Sequence, residues 1–294
     1  MNYKILYIAM VIFYSIGISH AAEIGEKVAQ PKRIISLKPN ITEILFALGV
    51  GDKVVGVTTW CDYPAEAKKL PKVADYISIN SEKVIALEPD LVIGSKENSL
   101  KGEFGVLKNA HIDTLLLSFR TIDEMYDSIE KMAEAVGKKE AGKNLVTDMR
   151  AVIASVAKRS PESTQGTATP PSVARNDSNL RTYALTHLRT LLILVGHRPL
   201  VAAGDNTFFG GIIKAIGAAN IVEGNTPYPT INTEFILAKG PDIIIDLGMG
   251  SEETLDLPEI IKKKVVRLDM SDFRAGPRLG NAIEKLALSL RVTK

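Results

Sequence analysis

The sequence predicts an α/β fold of two lobes, each with a mostly parallel sheet, bridged by a long α-helix. Three observations carry this. The segment INSEKVIALEPDLVI at 79–93 returns 152 positions later as INTEFILAKGPDIII at 231–245, with seven identities in fifteen, and an internal repeat can define a whole architecture. Short β-branched runs alternate with helically spaced segments in both halves, the pattern of a sheet covered on both faces. Between the halves, apolar residues keep helical spacing from 121 to 158, longer than an uncapped globular helix usually runs.

The first lobe is expected over 31–118 and opens with the β-branched run RIISL, Arg33 to Leu37. ITEILFALGVG, Ile41 to Gly51, then shows one apolar helical face with glycines at its end. Its start, PNITE, puts Asn40 or Thr42 near the cap and Glu43 in the first turn, a helix signature rather than an acid or base. KVVGVT is the next strand. In the repeated segment Ser81 is the expected N-cap, Glu82 lies in the first turn, Pro89 ends the helix and DLVIG is a buried strand. SLKGEFGVLKNA and IDTLLLS add a helix and a strand.

The bridging helix over 121–158 carries Ile122, Met125, Ile129, Met132 and Val136, then Leu145, Met149, Val152 and Val156. It is one helix or two broken near Gly137 or Gly142, since a glycine cost of ~1 kcal/mol does not decide. Residues 159–187 are rich in Ser, Thr, Pro, Asn and Gly and form a low-complexity insertion, expected to be a disordered surface excursion. The second lobe, 188–294, restarts with TLLILVG, and its FFGGIIKAIGAANIVEG echoes LFALGVGDKVVG. It closes with strand-like VVRLD and helical PRLGNAIEKLALSLR.

At 294 residues, with a net charge of +2 and no basic block, the chain suits a soluble two-lobed protein and not a nucleic-acid binder. The apolar run Ile5 to Ile18, with Ser19 and Ala21 before a cleavage site, reads as a signal peptide over 1–21. At 14 residues that run is shorter than the ~20 needed to span a bilayer. No cysteine lies there to carry a lipid, so the mature protein is expected to be soluble and exported. The single cysteine, Cys61, excludes an intrachain disulfide. No HExxH, CxxC, GxSxG, P-loop or GxGxxG motif occurs, so neither a metal site nor a catalytic constellation is indicated.

The unusual residues lie in loops. TTWCDYP and ADYIS place Trp60, the only tryptophan, with Tyr63 and Tyr76 beyond strand ends, where open α/β sheets bind ligands. In the other half NTFFG, TPYPT and MSDFRAGPR place Phe208, Phe209, Tyr228, Phe273 and Arg274 in loops of the same kind. Flat surfaces with polar edges in both halves point to a large ligand held between them.

RIISLKPNITEILFALGVGDKVVGVTTWCDYPAEAKKLPKV, SEKVIALEPDLVIG and the late RAGP resemble the periplasmic binding proteins that deliver cobalamin, haem and iron-siderophore complexes to ABC importers. The CDYP-x-EAKKLP stretch is most similar to the members that bind vitamin B12. The resemblance implies two Rossmann-like lobes and a ligand clamped between them. It also implies ligand contacts at Trp60, Tyr76 and Tyr228 and at the late Arg274, with no aromatic near Ser95, where such members carry a tryptophan.

It further implies that Glu82 and Glu234, one per lobe, dock onto the importer's two transmembrane subunits. The expected protein is a monomeric periplasmic carrier and not an enzyme. It needs no cofactor, and its cargo is a large metal chelate: a corrinoid first, haem or a ferric siderophore otherwise. A secreted enzyme with its active site between the lobes is the competing class, and clustered groups with strongly perturbed pKa values would favour it.

Overall fold

The computed structural model describes residues 30–75, 78–97, 101–159, 189–248 and 257–292. The chain divides after Gln30 into two units, and the signal peptide expected over 1–21 lies in the first, outside the described residues. Tyr76, and the insertion expected over 159–187 beyond Arg159, also lie outside them.

Two separate sheets organise the unit from Pro31 onward. The first comprises β1 (Ile34–Ser36), β2 (Val54–Thr58), β3 (Lys72–Ala74), β4 (Leu91–Ser95) and β5 (Asp113–Leu117), in the order β3-β2-β1-β4-β5. Every pairing in it is parallel. The second comprises β6 (Thr190–His197), β7 (Leu200–Ala202), β8 (Ala219–Asn220), β9 (Thr230–Ile231), β10 (Ile243–Asp246) and β11 (Val265–Arg267), in the order β11-β10-β6-β7-β9 with β8 beside β6. Here β6 pairs in parallel with β8 and β10, and β10 with β11, while β7 runs antiparallel to β6 and β9. Only Arg198 and Pro199 separate β6 from β7, a link that can close a hairpin but not a parallel crossover.

Nine helices cover these sheets among the described residues: α1 (Pro39–Ala47), α2 (Ser81–Ala86), α3 (Lys101–Asn109), α4 (Ile122–Ala135), α5 (Lys139–Arg159), α6 (Phe208–Ala215), α7 (Thr233–Lys239), α8 (Glu259–Lys262) and α9 (Leu279–Val292). Side chains alternate across each strand, and the cores divide accordingly. Ile34 and Ile93 of the first sheet and Leu191 and Ile245 of the second join one cluster with residues of α1, α4, α5, α6 and α9. Ile35 and Val92 face a second cluster with Val84 of α2 and Leu107 of α3. Leu192 and Ile244 face a third, with Ile236 of α7 and Ile261 of α8. Both lobes thus share their largest core.

Of the two readings of 121–158, one helix or two, the structure has two, α4 and α5, broken at Gly137. Gly137 adopts a left-handed φ of 71°, and the Lys138 amide returns to the Ala133 carbonyl at 2.7 Å, which ends α4. The second glycine has a different task. A Cβ at Gly142 would collide with Cβ of Ala133, so α5 packs on α4 through the missing side chain. Gly142→Ala is therefore expected to destabilise by about 1–3 kcal/mol from overpacking, although alanine is the better helix former. A urea midpoint that stays or rises would contradict this.

The repeat has matched structural uses. Asn80, rather than the expected Ser81, caps α2 by accepting from the Lys83 amide at 2.9 Å, and Asn232 caps α7 by accepting from the Phe235 amide at 2.9 Å. Asp90 accepts from the Arg33 amide at 2.9 Å and Asp242 from the Thr190 amide at 2.7 Å. Each aspartate therefore ties its strand's start to the start of the neighbouring strand. Pro89, Pro241, Ile93 and Ile245 are buried. Glu82 and Glu234 are exposed, and neither has a partner among the described residues.

Candidate functional site

In the first sheet the chain runs outward from β1 through β2 to β3, then returns to lay β4 and β5 on the other side. The crevice outside the carboxyl ends of β1 and β4 is thus the switch point at which open α/β sheets bind ligands. The loop after β2 stands next to it. There Cys61 is buried, accepting from the Thr42 hydroxyl at 3.1 Å and lying 3.2 Å from the Thr58 hydroxyl. With Cys61 pinned inward, its neighbour Trp60 projects outward and is 59% exposed. Tyr63 is exposed as well.

Across from this loop, the chain between β11 and α9 supplies two arginines. Arg278 donates to Glu43 twice, at 2.7 and 2.9 Å, and its guanidinium lies 4.6 Å from the centre of the Tyr63 ring. Arg274 donates to Glu43 at 3.1 Å, to both carboxylate oxygens of Asp62 and to the Trp60 carbonyl at 3.5 Å. Asn40 adds a bond to the Ala275 carbonyl at 3.3 Å. The Arg274 hydrogen bond holds the Asp62 carboxyl below its ordinary value. The side chain of Glu43 is 1% exposed, so a buried carboxylate between two arginines joins the lobes.

This corrects the reading of Glu43 as a first-turn helix residue. The helix begins at Pro39 with Lys38 as an N-cap that makes no side-chain bond, and Glu43 faces the other lobe. Arg274 is likewise no free cation awaiting a ligand, because two carboxylates already occupy its guanidinium. Phe208 and Phe273 are buried at 5% and 6% exposure and belong to the shared core. Thr207 accepts from the Gly210 amide at 3.0 Å and so starts α6 at Phe208. That cap places Phe208 in a helix, edge-to-face with Phe209 at 5.6 Å, and not in a loop.

Tyr228 remains exposed at 46% in the second lobe, beside Thr207, and burial of its remainder raises the phenol above its ordinary value. The structure thus brings Trp60, Tyr63 and Arg274 together. No ring contact or hydrogen bond among the described residues joins Tyr228 to them.

A polar corner sits at the carboxyl ends of β4 and β5, which sequence reasoning missed. Glu97 accepts from the hydroxyls of Ser95 and Ser118, the latter at 2.5 Å, and from the Phe119 amide at 3.2 Å. Burial opposes its charge, but these bonds hold its carboxyl below the ordinary value. Lys38, at the end of β1, is depressed by burial while the Glu97 charge counteracts this. Where the resemblance implied a lost aromatic at Ser95, the chain has a charged and hydroxylated corner.

Glu124 completes the group. It accepts from Arg120 at 2.8 Å and from the Ser118 hydroxyl at 2.6 Å, which lower its pKa from 4.5 to about 2. Because the folded state prefers this carboxylate, its contribution is complete above 4.5 and is lost as pH falls through about 2. Glu124→Gln is expected to flatten the decline in urea midpoint across that window. An unchanged decline would contradict it.

Among the described residues no group of three or more His, Cys, Asp or Glu side chains could hold a metal ion. No helix among them is long and apolar enough to cross a membrane. A family profile described as "Periplasmic binding protein" matches residues 34–267. The chain belongs to the periplasmic binding protein family.

A curated relative, the vitamin B12-binding protein of Pectobacterium carotovorum, is 29% identical over 267 residues, 89% of each chain. An ABC transporter substrate-binding lipoprotein of Bacillus subtilis, YvrC, is 32% identical over 273 residues, covering 89% of this chain and 80% of its own. Among solved structures, the periplasmic haem-binding protein RhuT from Roseiflexus, in apo form, superposes with a TM-score of 0.71 at 26% identity, covering 89% of this chain and 98% of its own. By their names these relatives bind vitamin B12, the substrate of an ABC transporter and haem.

Proposed function

We propose that the chain is an exported, monomeric carrier that captures cobalamin or a related corrinoid between its lobes and delivers it to an ABC importer. The observation that carries this is the pairing of exposed aromatics with cations that are already neutralised. Trp60, Tyr63 and Tyr228 offer flat apolar surface, while Arg274 and Arg278 are held by Glu43 and Asp62. Such a site suits a large ligand of little net charge, bound by stacking and apolar contact with a few edge hydrogen bonds. The Glu97 and Lys38 corner supplies acceptors and a donor of the kind that carboxamide edges need. The 29% identity to a vitamin B12-binding protein points the same way.

An anionic siderophore would need free basic groups, and the cleft arginines are engaged. Haem would call for an axial side chain. His197 is buried and already held by the buried Asp246 at 2.7 Å. We read the chain as a binding protein and not an enzyme. The shifted carboxyls Glu97, Glu124 and Asp62 move away from neutral pH, whereas a general acid or base is tuned toward it.

We further propose that Glu82 and Glu234 dock the carrier to the importer. In the repeat, asparagine caps a helix and aspartate ties strands, so both are explained by the fold; the glutamates are exposed and unpartnered among the described residues. Matched anionic contacts, one per lobe, suit a two-fold partner. Equilibrium dialysis of the mature protein against cyanocobalamin, haem and a ferric hydroxamate tests the cargo. Retention of cyanocobalamin is expected. Retention of haem with none of cyanocobalamin would overturn the assignment.

A further inference from the structure

Among the exposed large apolar side chains of the described residues, two form a matched pair. Ile85 on α2 is 41% exposed and Leu237 on α7 is 51% exposed, and they stand 152 positions apart, the offset of the repeat itself. Each lies three residues after the exposed glutamate of its helix, and residues three apart share a helix face. The intervening apolar residues, Val84 and Ile236, are buried at 0% and 1%. Each helix therefore turns one aliphatic residue inward and a second outward beside the glutamate.

Core packing accounts for Val84 and Ile236 but gives no reason for a second, outward aliphatic residue in both copies. Neither does solubility, since an exposed helix face ordinarily carries polar residues. We infer that Ile85 and Leu237 are the apolar anchors of the importer-docking surface, each inserting beside the contact made by its glutamate. This rests on the docking reading of Glu82 and Glu234. The partner it fits is a pair of symmetry-related membrane subunits, each offering a basic side chain next to an apolar recess. A carboxylate complements the first and an aliphatic side chain the second. The duplication supplies the same pair on each lobe, as a two-fold partner requires. The glutamates steer and orient, while burial of the aliphatic groups supplies affinity that salt does not screen.

The test uses the whole mature protein and the importer's membrane subunits, assembled with their ATPase subunits in lipid nanodiscs. Association is measured at low and high salt for the parent, for Ile85→Gln/Leu237→Gln and for Glu82→Gln/Glu234→Gln. Glutamine keeps helix propensity, and unchanged ligand titration checks that each variant is folded. The aliphatic variant is expected to lose affinity by about tenfold per side chain at both salts. The glutamate variant is expected to lose it mainly at low salt.

If the aliphatic variant binds like the parent while the glutamate variant does not, the anchor role is wrong and the docking reading stands. If both bind like the parent, the docking reading falls with it. If sedimentation shows the parent dimerising through these residues, and the aliphatic variant monomeric, the face belongs to a second copy and the inference is overturned.

Discussion

Replacing both Arg274 and Arg278 with methionine is expected to cost about 3 kcal/mol of stability. The cost comes from what remains. Glu43 would stay in place with its side chain 1% exposed and no cation beside it. Breaking a buried ion pair from one side typically costs about 3–5 kcal/mol because an uncompensated charge is stranded.

Each arginine is itself partly exposed, at 17% and 26%, so either single replacement is expected to cost much less, the other cation still reaching Glu43. At about 2–4 °C per kcal/mol for a chain of this size, the double variant should melt roughly 6–12 °C lower. Adding Glu43→Leu should recover most of the loss, since a well-packed apolar trio can equal a buried ion cluster. A double variant as stable as the parent, or a triple variant worse than the double, would contradict this account. The network also fixes Trp60 through Asp62 and the Trp60 carbonyl, so the double variant should show altered tryptophan emission before any ligand is added.

Trp60→Ala is expected to weaken binding of the cargo by roughly tenfold to a hundredfold, the range for truncating a large aromatic anchor, with little effect on folding. The side chain is 59% exposed, and exposed substitutions usually change stability by less than about 0.5 kcal/mol. Phe208→Ala is the counterpart. Buried in the shared core, it should cost about 3–5 kcal/mol of stability without specifically lowering the affinity of the protein that still folds. Calorimetric titration and urea unfolding of both variants separate the roles. Equal losses of stability would show that Trp60 is packing and not a ligand surface.

The parallel strands were legible because strands covered on both faces read as apolar runs, as in Ile34–Ser36 and Ile243–Asp246. The antiparallel β7 was not. Its three residues resemble any short β-branched run, and only the two-residue turn before it sets its direction. Trp60 and Tyr228 were legible as exposed aromatics in loops. Phe208 and Phe273 were misplaced because a capping threonine and the shared core decide their position, and neither shows in composition.

The pairing of Glu43 with Arg274 and Arg278 spans 231 and 235 residues and leaves no local pattern except two arginines four apart in RAGPR. The twin glutamates were legible because the repeat displays them. Their lack of a partner among the described residues is a fact of the fold alone.

Capture of one ligand by loops of both lobes can be followed directly through Trp60, the single tryptophan of the chain. The deciding measurement is a fluorescence titration of the mature protein with cyanocobalamin, corrected for absorbance, in the parent and in Tyr228→Ala. Saturable quenching of Trp60 at one ligand per chain is expected, shifted to about tenfold higher concentration by the change in the second lobe. Emission that ignores cyanocobalamin, or quenching that is the same in Tyr228→Ala, would contradict capture between the lobes.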